Sequence, residues 1–215
     1  MFYSEISLPV DGVRLIGDLT MPEGAKSLIV FSHGSGSSRL SPRNQQVAIY
    51  LQKRGIATLL FDLLTPEEDQ EVANRFDITL LTKRLCEVTK VLEELSTTKG
   101  IALGFFGAST GAASALDAAA KLPQVFAVVS RGGRPDLATT DLSKIKVPVQ
   151  LIVGSKDTTV LALNRLVFDK LRCKKELAIV PGATHLFEED SSMDKVADLA
   201  YNWFNTHVPL SPKNN

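Results

Sequence analysis

The sequence predicts an α/β fold, in which a mostly parallel, doubly covered β-sheet carries an antiparallel hairpin at its N-terminal edge. Short apolar runs alternate with helix-forming segments from residue 27 onward, which is the pattern of strand–helix–strand units. Before them, Asp11 and Gly12 separate two segments of alternating polarity, and this dipeptide is typical of a hairpin turn. The polar residues that could carry chemistry follow directly after predicted strands, where ligands bind in such sheets.

Each predicted element has a local signal. The hairpin strands alternate in polarity, whereas the later strands are apolar throughout because helices cover both of their faces. Ser41 followed by Pro42 indicates a helix start, and apolar residues at helical spacing after Asp77 indicate a long amphipathic helix. The polar, acidic stretch 63–75 is expected to be a loop with at most one helical turn. Strands are predicted at residues 2–10, 13–21, 27–31, 56–61, 101–106, 125–130, 149–153 and 176–180, and helices at 41–55, 77–95, 112–122, 160–171 and 193–206.

The composition predicts a single domain. The chain has 215 residues, of which 44% are hydrophobic and 22% charged, and this is enough for one substantial core but short for two. We expect the domain to occupy residues 1–208 and residues 209–215 to form a flexible tail. The 24 basic and 24 acidic side chains balance, so charge gives no reason to expect a nucleic-acid or membrane partner.

The sequence also bears on location and cofactors. No apolar run reaches the length of about 18 residues that predicts a membrane-spanning helix, and residues 1–9 alternate like a strand, unlike a signal peptide. Two cysteines, Cys86 and Cys173, cannot build a disulfide framework, and no spacing of cysteine and histidine suggests a metal site. We therefore expect a cytoplasmic protein that uses neither a metal nor another cofactor.

The stretch Gly107-Ala108-Ser109-Thr110-Gly111 fits G-x-S-x-G, the pattern of a nucleophile elbow. An apolar, strand-like run precedes it and an alanine-rich, helix-forming run follows it. In that setting the serine lies on a sharp turn, and the small residues two positions away let strand and helix approach each other. Outside that setting, a serine could simply cap a helix. The context therefore favours Ser109 as a nucleophile.

A serine hydroxyl needs a base within hydrogen-bond reach, and that base needs an acid to orient it. Of the three histidines, His185 follows the last predicted strand, His33 precedes an early glycine loop and His207 ends the final helix. Asp157 follows the penultimate strand, and Asp136 is a rival acid because it also follows a strand. The chain order Ser, Asp, His favours His185 as the base and Asp157 as the acid.

Four motifs carry a resemblance to a known family. They are His33-Gly34-Ser35-Gly36, Gly107-Ala108-Ser109-Thr110-Gly111, Gly154-Ser155-Lys156-Asp157 and Gly182-Ala183-Thr184-His185. In their order and strand-end placement, residues 28–190 resemble an α/β-hydrolase, and the compact chain is most similar to the dienelactone-hydrolase-like group. The resemblance implies that Ser109 attacks a carbonyl carbon, that His185 acts as base and then as acid, and that Asp157 holds the imidazole.

The resemblance further implies an oxyanion hole and has one departure. The oxyanion would be bound by the backbone N–H of Thr110 and by one from the loop at Gly34 and Ser35, with Ser35 favoured. Dienelactone hydrolases proper have a cysteine at the elbow, where this chain has Ser109, and Cys86 lies on a separate predicted helix. The lactone substrate of that group is therefore not implied.

Two arginines lie on a glycine-rich segment that follows a strand on the expected active-site side. Arg131 and Arg134 could bind a carboxylate or phosphate group of the substrate bidentately. Alternatively, either arginine pairs with Asp136, Asp157 or Glu188 and only ties loops together. The sequence leaves these two interpretations open.

Fewer than twenty residues separate the strand predicted at 125–130 from the one at 149–153, which leaves no room for a large lid domain. We therefore predict an open, shallow site for a small-molecule substrate. The predicted activity is that of a serine hydrolase acting on a small ester, thioester or lactone through an acyl-enzyme, with an anionic substrate as an option. An acyltransferase using the same triad and a noncatalytic binding scaffold remain as alternatives, and the sequence does not distinguish a monomer from a homodimer.

Overall fold

A computed structural model describes residues 1–209, in which an eight-stranded sheet is covered by five α-helices. The strands are β1 (Phe2–Val10), β2 (Val13–Met21), β3 (Ser27–Ser32), β4 (Ala57–Phe61), β5 (Ala102–Ala108), β6 (Val128–Arg131), β7 (Val149–Gly154) and β8 (Lys175–Val180). The helices are α1 (Pro42–Gln52), α2 (Ile78–Glu94), α3 (Gly111–Lys121), α4 (Thr158–Lys170) and α5 (Ser192–His207). Apart from residue 209, the predicted flexible tail lies outside the described residues.

The strand order is β1-β2-β4-β3-β5-β6-β7-β8. The strands β1, β2 and β4 pair in antiparallel fashion, and every pairing from β4 across to β8 is parallel. This confirms the predicted mixed sheet with its N-terminal hairpin. Because the order reverses between β3 and β5, the loops that follow these two strands leave the same sheet edge in opposite directions and open a crevice between them.

The hairpin turn has the geometry that its sequence predicts. Asp11 and Gly12 both have positive φ, at 50° and 76°. Two residues in this region form a turn whose twist matches that of the flanking strands, so β1 and β2 pair along their whole length.

Helices cover both faces of the sheet. Helices α1 and α5 pack on one face, and α2, α3 and α4 pack on the other. The sheet residues beneath each layer are apolar and buried, and Phe31 and Phe106 contact each other under α1 with ring centroids 4.9 Å apart. Burial of these side chains on both faces supplies the main driving force for folding.

The stretch 63–75 is more ordered than the sequence suggests. It contains two short 3₁₀-helices, Glu68–Gln70 and Val72–Phe76, where the sequence indicated at most one turn. The buried guanidinium of Arg84 donates to the Glu68 carboxylate at 2.5 Å. An acidic residue of this stretch is therefore the partner of a buried cation on α2, 16 positions further along the chain.

Two element boundaries near the sheet edge also differ from the expectation. Strand β6 continues to Arg131, so this arginine lies in the sheet and not on the loop that follows it. Helix α4 begins at Thr158, because the Asp157 carboxylate accepts a hydrogen bond from the backbone N–H of Val160 as an N-cap.

The segment between β6 and β7 is short and contains no lid domain, as predicted. Residues 132–148 form two single-turn 3₁₀-helices, Pro135–Leu137 and Leu142–Lys144. Asp117 of α3, which is 1% exposed, anchors this segment from below. Its carboxylate accepts hydrogen bonds from the Thr139 N–H at 2.9 Å, the Thr139 hydroxyl at 2.7 Å and the Thr140 N–H at 2.9 Å.

Within residues 1–209, none of the helices has both the length and the apolar character that crossing a membrane requires.

We predict that Asp117→Ala lowers the free energy of unfolding by about 2–4 kcal/mol, because it leaves buried donors of residues 139 and 140 without an acceptor. Urea denaturation measures this loss. Asp169→Ala, which removes an exposed carboxylate of α4, is the matched control and should change stability by less than about 0.5 kcal/mol. Equal losses in the two variants would contradict the anchoring role.

Candidate active site

Ser109 lies on a strained turn between β5 and α3. Its φ of 51° falls in the left-handed region, which is uncommon for a residue with a side chain. Three backbone hydrogen bonds hold it there: its N–H donates to the Arg131 carbonyl at 3.2 Å, and its carbonyl accepts from Arg134 at 3.0 Å and from Ala112 at 3.1 Å. The surrounding structure thus compensates the strain, and the arrangement is that of a nucleophile elbow.

The two glycines of the elbow are required by close packing. A Cβ atom on Gly107 would lie 2.6 Å from the Cα of Ala112. A Cβ atom on Gly111 would lie 2.1 Å from the carbonyl oxygen of Ser32, at the end of β3. The hydroxyls of Ser32 and Ser114 are hydrogen-bonded at 2.8 Å beside this contact. The first turn of α3 therefore packs directly against the end of β3, as the motif predicts.

Asp157 and His185 form a hydrogen-bonded pair. The Nδ1 atom of His185 and the Oδ2 atom of Asp157 are 2.6 Å apart. The carboxylate is mostly buried, whereas the imidazole side chain is 39% exposed. Asp136, the rival acid, is instead bound to Arg134, so Asp157 is the acid that contacts the histidine.

The loops that carry the acid and the histidine are packed together. The Lys156 N–H donates to the Ala183 carbonyl at 2.9 Å, and the Gly182 N–H donates to the Ser155 hydroxyl at 2.8 Å. A Cβ atom on Gly154 would lie 2.3 Å from the Ala183 carbonyl oxygen, so a glycine is needed at the end of β7. These contacts set the distance between Asp157 and the histidine loop.

Ser109 and His185 lie on either side of the loop at residues 132–134. A Cβ atom on Gly132 would be 3.7 Å from Cε1 of His185, and the N–H of Arg134 binds the Ser109 carbonyl. Within residues 1–209, the Ser109 hydroxyl has no hydrogen-bond partner, so the structure does not contain a bond between it and the imidazole. Asp157 and His185 are thus joined, whereas Ser109 is not hydrogen-bonded to either side chain in the part of the chain that the structure describes.

The loop after β3 packs against Ser109. A Cβ atom on Gly34 would lie 3.0 Å from the Cβ of Ser109, so the backbone of this loop contacts that serine. The Ser35 N–H donates to the Thr110 hydroxyl at 2.8 Å. Neither the Gly34 N–H nor the Thr110 N–H has a hydrogen-bond acceptor in the part of the chain that the structure describes.

His33 fixes the start of this loop. Its Nε2 accepts a hydrogen bond from the Leu63 N–H at 3.1 Å, so Nδ1 carries the proton and donates to the Gly34 carbonyl at 2.9 Å. Burial lowers the pKa of His33, which favours this neutral form. His207 donates from Nδ1 to the Trp203 carbonyl at 2.7 Å, at the far end of α5. His33 and His207 are therefore engaged in structural hydrogen bonds.

The two arginines singled out in the sequence have different surroundings. Arg134 forms a bidentate ion pair with Asp136, at 2.9 Å and 2.8 Å, and these hydrogen bonds raise its pKa. Arg131 forms no ion pair among residues 1–209 and donates from Nη2 to the Asn44 side-chain oxygen at 3.2 Å. Arg134 thus ties its own loop, whereas Arg131 does not pair with any of the three expected acids.

The side chain of Thr110 has a role in the site that the sequence did not predict. The Thr110 hydroxyl joins the elbow to the loop after β3, while the sequence pointed only to the Thr110 N–H. The available signal was a hydroxyl residue directly after the nucleophile. Its partner, however, lies 75 positions away along the chain, so sequence spacing could not identify it.

A cleft of about 210 Å³ adjoins the loop after β3 and is bordered by the stretch 63–75. It is lined by His33, Ser37, Ser38, Arg39, Leu40, Asp62, Leu64, Thr65, Pro66 and Asp69. A larger cleft of about 480 Å³ lies between the hairpin and α1, and none of its lining residues belongs to the Ser109 region. Among the described residues, no group of histidine, cysteine and acidic side chains is arranged to hold a metal ion.

The chain is similar to known proteins over most of its length. A family model described as "Dienelactone hydrolase family" matches residues 20–207. Two Mycobacterium tuberculosis proteins, of strains CDC 1551 and H37Rv, are each named "Putative phosphoribosyl transferase" and are 51% identical to this chain over 205 residues. The match covers 95% of this chain and 46% of each relative, so the chain spans about half the length of these proteins.

Solved structures show the same architecture. A crystal structure of dienelactone hydrolase from Anabaena variabilis has a TM-score of 0.94 and 47% identity, covering 97% of this chain and 99% of that chain. Est1E from Butyrivibrio proteoclasticus has a TM-score of 0.78 and 17% identity, covering 95% and 98% of the two chains. At that lower identity the likeness concerns the fold alone.

We predict that Gly111→Ala is strongly destabilising, by about 3 kcal/mol or more, because the new methyl group would overlap the backbone of β3. Thermal and urea denaturation measure the loss. Gly24→Ala is the matched control: its φ of 70° is strained, but nothing lies within 4 Å, so the cost should be about 1 kcal/mol. A Gly111→Ala protein as stable as the control would show that α3 is not packed as described.

Proposed function

Because the chain belongs to the dienelactone hydrolase family, we propose that it is a serine hydrolase that cleaves a small ester, thioester or lactone. The observation that carries the proposal is the Asp157–His185 pair, 2.6 Å apart, beside a serine at φ 51°. A hydroxyl on such an elbow is exposed to substrate, and a histidine oriented by a carboxylate is a suitable base.

In the proposed mechanism, His185 Nε2 takes the proton of the Ser109 hydroxyl as its oxygen attacks the carbonyl carbon. Asp157 accepts the Nδ1 proton in a hydrogen bond, which fixes the tautomer and stabilises the imidazolium. The imidazolium then protonates the leaving alcohol, thiol or ring oxygen, and an acyl-enzyme remains. Water, activated by the same histidine, releases the acid and restores the serine.

The proposal requires the serine and the imidazole to come into hydrogen-bond contact when substrate binds. Catalytic hydrogen bonds are commonly long in free enzymes and shorten in the substrate complex. The His185 side chain is 39% exposed, so solvent borders part of the imidazole and leaves it room to move.

The proposed oxyanion hole consists of the Thr110 N–H and an N–H of the Gly34–Ser35 loop. The Thr110 N–H is supported by its position at the N-terminus of α3, where backbone donors point outward. The Ser35 N–H is occupied by the Thr110 hydroxyl, so the oxyanion would have to replace that hydroxyl as acceptor. The Gly34 N–H is free of such a partner within residues 1–209, which makes Gly34 the stronger candidate in the resting state.

The absence of a lid domain within the described residues supports an open site and a small or exposed substrate. We propose that the reaction uses no cofactor, because the triad supplies the nucleophile and both proton transfers. The cytoplasmic location expected from the sequence stays a prediction. The Anabaena variabilis protein is named dienelactone hydrolase, in keeping with this reaction class.

Two alternatives are separable from hydrolysis by experiment. An acyltransferase would form the same acyl-enzyme and pass the acyl group to an acceptor other than water, whereas a binding scaffold would form none. The name of the mycobacterial relatives applies to whole proteins, and this chain matches only 46% of their length. We therefore do not propose phosphoribosyl transfer for the Ser109 site.

We predict that Ser109→Ala lowers the turnover of p-nitrophenyl acetate by about 10⁴-fold or more and abolishes labelling by a fluorophosphonate probe, because the acyl-enzyme can no longer form. Ser96→Ala, which alters an exposed serine after α2, is the matched control and should behave as wild type. A folded wild-type protein that resists the probe would favour the scaffold alternative. Labelling with turnover only in the presence of an added alcohol would favour acyl transfer.

We predict that Thr110→Val lowers kcat by about tenfold to a hundredfold with little change in KM, because the Ser35 N–H loses the hydroxyl that positions its loop. Thr110→Ser keeps the hydroxyl and should restore most of kcat. Steady-state kinetics on p-nitrophenyl acetate measure the effect, with the melting temperature recorded for each variant. If the serine and valine variants have the same kcat, the hydroxyl does not position this loop for catalysis.

A further inference from the structure

Arg131 is a buried cation beside the candidate active site. It is 5% exposed and ends β6, where its carbonyl oxygen accepts the Ser109 N–H at 3.2 Å. Its guanidinium carbon lies 5.9 Å from the centre of the Phe187 ring, two residues after His185. The side chain therefore sits between the strand that supports the nucleophile and the loop that carries the histidine.

This cation has no counter-ion in the described part of the chain. Among residues 1–209, the only hydrogen bond of its guanidinium is to the neutral Asn44 side chain. The other fully buried arginine, Arg84, shows the usual arrangement, because it contacts the carboxylates of Glu68 at 2.5 Å and Asp11 at 3.7 Å. Buried charges are normally paired, so Arg131 is the exception.

The electrostatic surroundings of Arg131 disfavour its positive charge. Burial and the nearby charge of Arg43 lower the pKa of Arg131 to about 10, and no carboxylate offsets them. The Glu188 carboxylate lies 3.5 Å from the Arg43 guanidinium, and the Glu188 side chain is 67% exposed. Such an exposed pair contributes little stability, so an incoming anion could displace Glu188 from Arg43 at little cost.

We infer that Arg131, with Arg43 and Asn44, forms a subsite for an oxyanion, namely a carboxylate or phosphate group of the substrate; this inference rests on the proposed hydrolase function. A guanidinium without an acidic partner attracts a carboxylate or phosphate group, and a desolvated site strengthens the interaction. The subsite shares β6 and the His185 loop with the triad, so an anion bound there would place the rest of the substrate next to Ser109.

Arg134 is not part of this subsite. The sequence offered Arg131 and Arg134 as a pair, but Asp136 already occupies the Arg134 guanidinium in a bidentate contact. The second cation near Arg131 comes instead from Arg43, at the start of α1. The anion subsite thus joins β6 to α1, on the α1 and α5 side of the sheet.

Anion binding is tested on the full chain carrying Ser109→Ala, so that no turnover is involved. The melting temperature is measured against inorganic phosphate and acetate at constant ionic strength, with chloride as the reference salt. We expect at least one oxyanion to raise it, and Arg131→Met to weaken the apparent affinity by about tenfold or more. Arg165→Met, which removes an exposed arginine of α4, is the matched control and should leave the response unchanged.

Two further variants keep the test decisive if Arg131→Met folds poorly. Arg131→Lys retains the charge without the fork and should bind the anion more weakly than wild type, and Arg43→Met should also weaken binding. An equal response of all variants, or no response of the Ser109→Ala protein to either oxyanion, would overturn the subsite.

Kinetics then show whether the anion belongs to the substrate. With Ser109 present, esters bearing a carboxylate or a phosphate are each compared with an uncharged counterpart, and Arg131→Met should raise KM about tenfold or more for the charged ester only. If KM rises only for the carboxylate ester, the subsite binds a carboxylate, and if it rises only for the phosphate ester, the subsite binds a phosphate. Equal changes for charged and uncharged esters would overturn the substrate assignment. Failure of hydrolysis altogether would overturn the proposed function, while anion binding by the Ser109→Ala protein would still be measurable.

Discussion

The left-handed turn at Ser109 is the constraint on which the site depends. A residue with a side chain adopts φ 51° only where its surroundings compensate the strain, and here the backbone bonds to residues 112, 131 and 134 do so. These bonds exist because α3 begins against β3, with Gly111 too close to Ser32 for any side chain. The sharp turn, the glycines and the position of Ser109 are therefore one structural feature, and the neighbouring loops are arranged around it.

Parallel strands bring the remaining groups to that feature. The loops after β3, β5, β7 and β8 leave the same edge of the sheet, because parallel strands end on one side. Hydrogen bonds between loops then set the distances: His33 joins the loop after β3 to Leu63, and Lys156 joins the acid loop to the histidine loop. The Asp157–His185 contact follows from this second junction, so two residues 28 positions apart meet without any local sequence signal.

Charge is distributed unevenly around this edge. On the α2 side, Arg84 is buried together with acidic partners, so its charge stabilises the ordered stretch 63–75. On the α1 side, Arg131 is buried with a neutral partner, and its lowered pKa reflects the cost of that burial. A buried cation that has no acidic partner among residues 1–209 gives an energetic reason to bind an anion beside Ser109, and the proposed subsite would connect this feature of the fold to the choice of substrate.

The sequence by itself determined the order of the elements, the hairpin and the G-x-S-x-G turn. The periodic spacing of apolar residues, the Asp-Gly dipeptide and the two glycines of the motif are local signals, so they can be recognised without the tertiary structure. Both Asp157 and Asp136 follow predicted strands, and the structure decides between them by joining Asp157 to His185. Only the tertiary structure decided which of the two arginines lacks an acidic partner among residues 1–209. Arg134 forms an ion pair with Asp136, two residues away, whereas the neighbours of the Arg131 side chain come from α1 and the histidine loop. The same holds for the bond between Ser35 and Thr110: partners 75 positions apart are set by the packing of β3 against β5, and no sequence period records that contact.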